Sequence, residues 1–409
     1  MAIKDGLVVQ VGPWADLAPA SAGAALLGGP ERLVMPGLVN GHTHLAMSLF
    51  RGLADDLDLM DWLERHIWPA EAAVVSEEMV YWTSLLALAE AIRAGTTSLA
   101  DGYFCEKGAL KAATEAGMRA ILAQGIIDLP TSGAPDPQAS LKAARDFLEA
   151  GQGVSQLIRP ALFCHSPYTC SPTTLRGARD LAEEFETQVF IHLAESEAET
   201  GIILEKYGQR PTAYLDEAGF LGPRTVAIHC IHLEPAEIEL LARRGVAAVT
   251  CPESNMKLAS GRARVRDWLA AGLKTGLGTD GAASNNDLNL FGEMGSLARW
   301  HKAADQDPTA LPAGQVLDLA TRAGAEALGL EGVGLLRPGA PADLITLDLT
   351  EPNLLPWHNL AAQLVYAAHG GEVRDVVVAG RPLLKEGELM TIDLKEVQAR
   401  VRHLSGTMG

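Results

Sequence analysis

The chain has 409 residues, 48% of them hydrophobic, which is ample for a large packed core, and a barrel fold can absorb such a length largely as one unit. Lys and Arg total 33 against 51 Asp and Glu, a net charge of -18 that repels phosphate backbones and anionic lipid and argues against nucleic-acid or membrane partners. The five cysteines, Cys105, Cys164, Cys170, Cys230 and Cys251, are scattered and lack a C-x-x-C pair, which argues against a disulfide framework and fits a reducing compartment.

At the N-terminus, MAIKDGLVVQVG lacks the basic start and apolar run of a signal peptide. No stretch approaches the roughly 18 uninterrupted apolar residues of a membrane span, so a cytoplasmic setting is expected. The segment KDGLVVQVG reads as one strand. From Gly37 onward, apolar β-rich runs alternate with Ala/Leu/Glu-rich helical stretches. The predicted strands are Gly37–Gly41, Thr97–Asp101, Arg119–Ile127, Pro160–Cys164, Gln188–His192, Thr225–His229, Val246–Thr250 and Lys274–Gly278. Helical patterns between them include Glu77–Ala94, Leu141–Ala150, Thr173–Glu186 and Pro235–Arg243. Continuous apolar runs suit buried parallel strands. Strands separated by helices point to a closed barrel or a doubly wound open sheet. From about Val333 the pattern changes. ADLITLDL and VRDVVVAG read as two short strands with Gly/Pro turns and no helix between them. With the N-terminal strand they are expected to pair into a small β-sandwich. The domain reading is therefore residues 1–36 plus 333–409 for the sandwich and 37–332 for a (β/α)8 barrel.

The strongest local signal is PGLVNGHTHL, where His42 and His44 lie at i and i+2 just after a strand. Both side chains then point to one side, and two imidazoles held that way can grip one divalent ion. An isolated H-x-H is more often two ordinary loop histidines. Here it has company: His192 ends QVFIHLAE with Glu195 three residues on, His229 ends RTVAIHC, Asp280 follows LKTGLGTDG, and His165 follows PALFCHSP. Each polar group follows the apolar body of a separate strand. In a barrel such exits converge on one mouth, where active sites of that fold sit. His42, His44, His192 and Asp280 would give three nitrogens and a carboxylate for Zn2+, with a position left for water; Fe2+ is an alternative ion. No Lys stands at the fourth strand exit to bridge two metals, so one ion per subunit is expected. No P-C-x-x-C occurs, which excludes the Cys-ligated type of base deaminase. Zinc lowers the pKa of its water toward about 7. Asp280 could take that proton, His229 could hydrogen-bond the hydroxide, and Glu195 could protonate a ring nitrogen of the substrate. The plainer role for Glu195 is to orient His192.

These residues resemble the amidohydrolase superfamily, and within it the 5-methylthioadenosine/S-adenosylhomocysteine deaminase family. The resemblance runs from VMPGLVNGHTH to ADLITLDL and rests on RGLADDLDLMDWLERHIWPAE, CHSPYTCSP, IHLAESEAE, HCIHL, CPESNMKLASG and GLGTDGAASNNDLNLFGEM. It implies that His42, His44, His192 and Asp280 are metal ligands and that Glu195, His229 and Asp280 are catalytic. It implies that Glu71 accepts hydrogen bonds from ribose hydroxyls, that His165 contacts the purine nucleoside, and that Glu195 and Asp280 also touch substrate. Met47, Trp62 and Trp68 would form an apolar lid; from sequence alone they are simple packing. Two departures stand out. Family members usually begin with further residues that make the first sandwich strands. Homocysteine-accepting relatives place an arginine near the third strand exit, where RAILAQGIID has Gln124 and TSGAPDPQAS adds no arginine. S-adenosylhomocysteine is therefore expected to be a poorer substrate than 5'-methylthioadenosine or adenosine. The implied reaction is zinc-dependent hydrolytic deamination of an adenine nucleoside by a homo-oligomeric enzyme. The rivals are a deaminase or chlorohydrolase of another heterocycle, such as guanine, a pterin or a triazine, and a non-catalytic barrel scaffold.

Overall fold

A computed structural model describes residues 1–21 and 23–406. Eight parallel strands form its centre: β1 (Leu38–Thr43), β2 (Thr96–Tyr103), β3 (Arg119–Ile126), β4 (Ile158–Cys164), β5 (Val189–Leu193), β6 (Thr225–His229), β7 (Ala247–Thr250) and β8 (Lys274–Leu277). Each hydrogen-bonds its sequence neighbour, with helices in the crossovers. The expected barrel is therefore observed, and the open-sheet alternative falls away. Successive strand residues point to opposite faces, and they divide between two apolar clusters. Leu99, Leu122, Leu162 and Ile191 join the larger one, which includes the helices. Val39, Ile121, Ala161, Phe190, Val226 and Val249 join the second, which fills the barrel interior. Burying each large side chain contributes about 1.5–3 kcal/mol.

The crossover helices start where their sequence supplies caps. Ser76 accepts from the Met79 amide at 3.2 Å and opens Glu77–Arg93. Asp136 accepts from Ala139 at 2.8 Å, with Pro137 following in the first turn of Pro137–Gly151. The connection between β1 and β2 includes, ahead of Glu77–Arg93, a broken helical segment, Leu59–Trp62 and Trp68–Val74, that widens to a π turn over Leu63–Ile67. Pro69 offers no N–H to the carbonyl of Arg65, which explains the break there.

β1 and β8 close the barrel without forming a ladder. The amides of Thr279 and Asp280 both donate to the His42 carbonyl, at 3.1 and 3.0 Å. The Asn40 side chain donates to Thr279 Oγ1 at 2.8 Å and accepts from the Thr279 amide at 3.1 Å. Gly278 permits this approach, because a Cβ there would lie 2.7 Å from the His42 nitrogen.

Both chain ends contribute to the flanking antiparallel sheets. Arg32–Pro36 pairs with Leu344–Asp348, followed across the sheet by Val373–Val378, Arg381–Lys385 and Glu388–Leu389. The hairpin Ala2–Lys4/Leu7–Gln10 docks through Val8 N to Ala340 O at 2.9 Å. One expectation is corrected: a helix, Leu360–Tyr366, lies between the strands of LITLD and VRDVVV. Asn359 caps it, accepting from Ala362 at 3.1 Å, and Leu364 and Val365 are buried beneath it. A second helix, Leu394–Gly406, lies against Glu77–Arg93, with the Arg400 guanidinium 5.1 Å from the Trp82 ring centre.

Candidate active site

The strand exits do converge. One nitrogen from each of His42, His44 and His192 and one oxygen of Asp280 lie within 4.8 Å of one another, and all four residues are buried. His42 Nε2 and His44 Nε2 stand 3.4 and 3.3 Å from Asp280 Oδ1, and His192 Nε2 stands 3.4 Å from His42 Nε2. Donors bound at about 2.1 Å to one tetrahedral ion would be about 3.4 Å apart, so the four groups fit a single divalent cation.

The electrostatics agree with ligation. Burial pushes His42 down to about 3 and His192 well below the usual histidine range, so both rings are neutral and keep a lone pair. Burial opposes charge on Asp280, yet the hydrogen bond to His42 and the nearby His229 and His44 rings hold its carboxyl well below the usual range. The ligands are oriented from behind. His44 Nδ1 bonds the Gly102 carbonyl, which leaves Nε2 facing Asp280. Asp280 Oδ2 accepts from the Ser254 and Ser284 hydroxyls at 2.7 and 2.8 Å, and Oδ1 accepts from the Gly281 amide at 2.8 Å.

Two further groups stand beside these four. His229 Nδ1 pairs with Asn255 Oδ1 at 2.9 Å, and its Nε2 lies 3.8 Å from Glu195 Oε1 and 4.0 Å from Asp280 Oδ2. Burial raises the Glu195 carboxyl above its ordinary value, so it holds a proton more readily than a free glutamate does. Its backbone is fixed by Glu199, whose Oε1 and Oε2 accept from the Ala194 and Glu195 amides at 2.8 and 3.1 Å. Burial lifts Glu199 itself to about 8. The backbone is left-handed at Ala194, His229, Cys230 and Asp280, with φ of 50, 67, 48 and 62°. Such conformations cost about 1 kcal/mol or more each outside glycine and cluster at functional sites.

The polar groups share the wall of one cavity with a set of apolar and aromatic side chains. Met47, Trp62 and Trp68 all line it, as the apolar lid requires. His165 also lines it, with Nδ1 3.0 Å from Thr169 Oγ1 and its ring edge-on to Trp68 and His192. Burial pushes His165 down to about 4, so it is neutral. Elsewhere on the wall stands Glu71, which accepts from the Tyr103 hydroxyl at 2.5 Å. Burial raises Glu71 to about 7, against the opposing pull of that hydrogen bond.

Gln124 behaves differently from expectation. It does not line this cavity, because its Oε1 accepts from the Glu106 amide at 3.1 Å and its Nε2 donates to Gly125 O. The missing cation is nonetheless evident, since no arginine or lysine is among the described residues lining the cavity. Sequence reasoning missed Tyr103, Ser254, Ser284, Asn255 and Glu199. Tyr103 ends β2, so the strand-exit rule that found the histidines could have flagged it.

A parallel barrel with three imidazoles and a carboxylate gathered at its mouth defines a metal-dependent hydrolase. The chain belongs to the amidohydrolase family, whose model matches residues 33–383. It is 46% identical over 409 residues to a 5-methylthioadenosine/S-adenosylhomocysteine deaminase of Syntrophobacter fumaroxidans, covering 100% of this chain and 93% of the relative. It is 44% identical over 396 residues to a 5'-deoxyadenosine deaminase of Methanothermobacter thermautotrophicus, covering 97% and 91%. Among solved structures, an adenosine deaminase from Xanthomonas campestris with bound zinc superposes with a TM-score of 0.96 at 40% identity, covering 99% and 92%. An atrazine chlorohydrolase from Arthrobacter aurescens TC1 shares the fold, with a TM-score of 0.92 at 24% identity and coverage of 99% and 94%.

Proposed function

We propose that this chain deaminates adenine nucleosides hydrolytically, using one Zn2+ per subunit held by His42, His44, His192 and Asp280. The observation that carries this reading is that the four-ligand cluster shares one cavity with a raised carboxyl, Glu195, and with a second carboxyl, Glu71. A divalent ion held by these four residues would lower the pKa of water and so make a nucleophile available at neutral pH. Asp280, steadied by the Ser254 and Ser284 hydroxyls, accepts the proton that water gives up as it attacks C6 of the purine. His229, with Nδ1 committed to Asn255, presents Nε2 to the attacking oxygen. Glu195 delivers a proton to N1 of the ring. The amine departs as ammonia, so nucleoside and water become the inosine analogue and ammonia. Glu71 accepts hydrogen bonds from the ribose hydroxyls, and His165 and Trp68 border the base.

The relatives named above as deaminases of 5-methylthioadenosine, S-adenosylhomocysteine and 5'-deoxyadenosine support an adenine nucleoside as substrate. The cavity wall, with no arginine or lysine among its described residues, favours adenosine and 5'-methylthioadenosine over S-adenosylhomocysteine, whose carboxylate would have no cation to pair with. We further propose a cytoplasmic homo-oligomer that acts without nucleic acid or membrane. The five free cysteines suit a reducing compartment, and no single described helix is long and apolar enough to cross a membrane. The test is ammonia release from purified protein with adenosine, 5'-methylthioadenosine, guanine, a pterin and a triazine. Turnover confined to the adenine nucleosides is expected. Faster turnover of guanine or a triazine would refute the reading.

A further inference from the structure

Two hydroxyls steady Asp280, and both are placed by one side chain farther out. Glu293 lies in the first turn of the helix Leu290–Asp305, which follows β8, and it is fully buried. Its Oε2 accepts from the backbone amide of Glu253 at 3.0 Å. Its Oε1 accepts from the Asn285 side chain at 2.5 Å, and the same Asn285 nitrogen donates its other hydrogen to the Thr279 carbonyl at 2.8 Å. Glu253 precedes Ser254, Asn285 follows Ser284, and Thr279 precedes Asp280. One carboxyl therefore ties the segment after β7 to the segment after β8, at the positions flanking Ser254, Ser284 and Asp280. Between these ties the Ser254 and Ser284 hydroxyls lie 3.0 Å apart, and both donate to Asp280 Oδ2.

Burial and the neighbouring Glu253 carboxyl push Glu293 well above the usual carboxylate range. An apolar side chain would fill the space without that penalty. It could accept from neither N–H, and each would lose its partner. We propose that Glu293 is a positioning residue for Asp280, acting through Ser254 and Ser284 to hold that carboxylate in the orientation that ligation and proton transfer require. This rests on the reading above, in which Asp280 grips the ion and takes the proton from water. Glu293 does not line the catalytic cavity. Its effect runs along two arms, the Glu253 amide to Ser254 and the Asn285 side chain to Ser284.

Double-mutant cycles separate this role from simple support of the fold, because residues acting through one another give losses that do not add. Glu293→Gln keeps the shape but sets an N–H against a partner that is itself a donor, so one arm breaks. Its kcat for adenosine is expected to fall about tenfold or more, and its Zn2+ affinity, read by competition with a chromogenic chelator, to weaken about tenfold. KM should stay within about twofold, since the cavity wall is untouched. Ser254→Ala with Ser284→Ala is expected to lower kcat by a similar factor in the parent protein, and by no more than about twofold further when Glu293→Gln is already present. Asn285→Ser cuts only the second arm, so it serves where Glu293→Gln folds poorly. Its loss should overlap that of Ser284→Ala. Losses that multiply in full, or a Zn2+ affinity and kcat equal to the parent's, would overturn the inference. No ammonia from adenosine by the parent protein with its ion bound would instead overturn the deaminase reading, and the Zn2+ affinities of the same variants would still decide the role of Glu293.

Discussion

Replacing Glu71 by Gln tests whether a ribose is recognised where the cavity suggests. The carboxyl is raised to about 7 by burial, so acidification removes its charge within the working range of an enzyme. Only the ionised form accepts freely from two hydroxyls. At pH 5.5 about 3% of a group with a pKa near 7 is ionised, so KM for adenosine should rise up to about thirtyfold between pH 9 and pH 5.5. The sign is fixed: substrate binding tightens as pH rises through 7 and weakens as it falls. In Glu71→Gln the acceptor is neutral at every pH. A lost charge-assisted hydrogen bond is worth about 1.5–3 kcal/mol, so KM should be raised about tenfold or more and should no longer change through pH 7. Tyr103→Phe gives the matching control. Its hydroxyl stabilises the Glu71 carboxylate, so its loss should move the KM inflection to higher pH. The assay is steady-state ammonia release across the pH range, with KM and kcat separated. If Glu71→Gln kept the parent KM and its pH dependence, Glu71 would have no part in holding the nucleoside.

Glu195→Gln should bind metal normally and lose about 100- to 10,000-fold in kcat, read by elemental analysis beside turnover; an active variant would remove the proton-transfer role. Stripping the ion with a chelator should abolish turnover and lower the melting temperature by about 5 °C, both restored by Zn2+; calorimetry with and without chelator decides this. Gly278→Ala should destabilise the protein by about 1–3 kcal/mol, because its Cβ would fall 2.7 Å from the His42 nitrogen. A denaturant midpoint equal to that of the parent would show that the closure tolerates the methyl.

Much of the barrel is legible in the sequence because its strands are buried on both faces. The run RAILAQGI was expected over Arg119–Ile127 and is observed over Arg119–Ile126. The metal cluster was legible for the same reason: a histidine or aspartate closing an apolar run stands out, as His192 does after VFI. The support for those residues was not. Ser254 meets Asp280 from the short helix Pro252–Lys257 after β7 and Ser284 from the turn after β8, and nothing local in CPES or GAAS marks that meeting. Gln124 misled because position along a strand does not say which face a side chain takes; its partner is the Glu106 amide. The helix Leu360–Tyr366 was hidden because LAAQLVY is short, and its burial depends on elements distant in sequence.

His42 lies on the first barrel strand and His44 directly after it, whereas Asp280 follows the last, and a single carbonyl, that of His42, receives the amides of both Thr279 and Asp280. An ion held by the proposed ligands would be gripped from both sides of this seam and would act as a rivet between the opening and closing turns of the fold. That donor set is complete only when the final strand has docked on the first. Fragments lacking β8 would lack the full set, so loading of the metal would report that the whole barrel has closed.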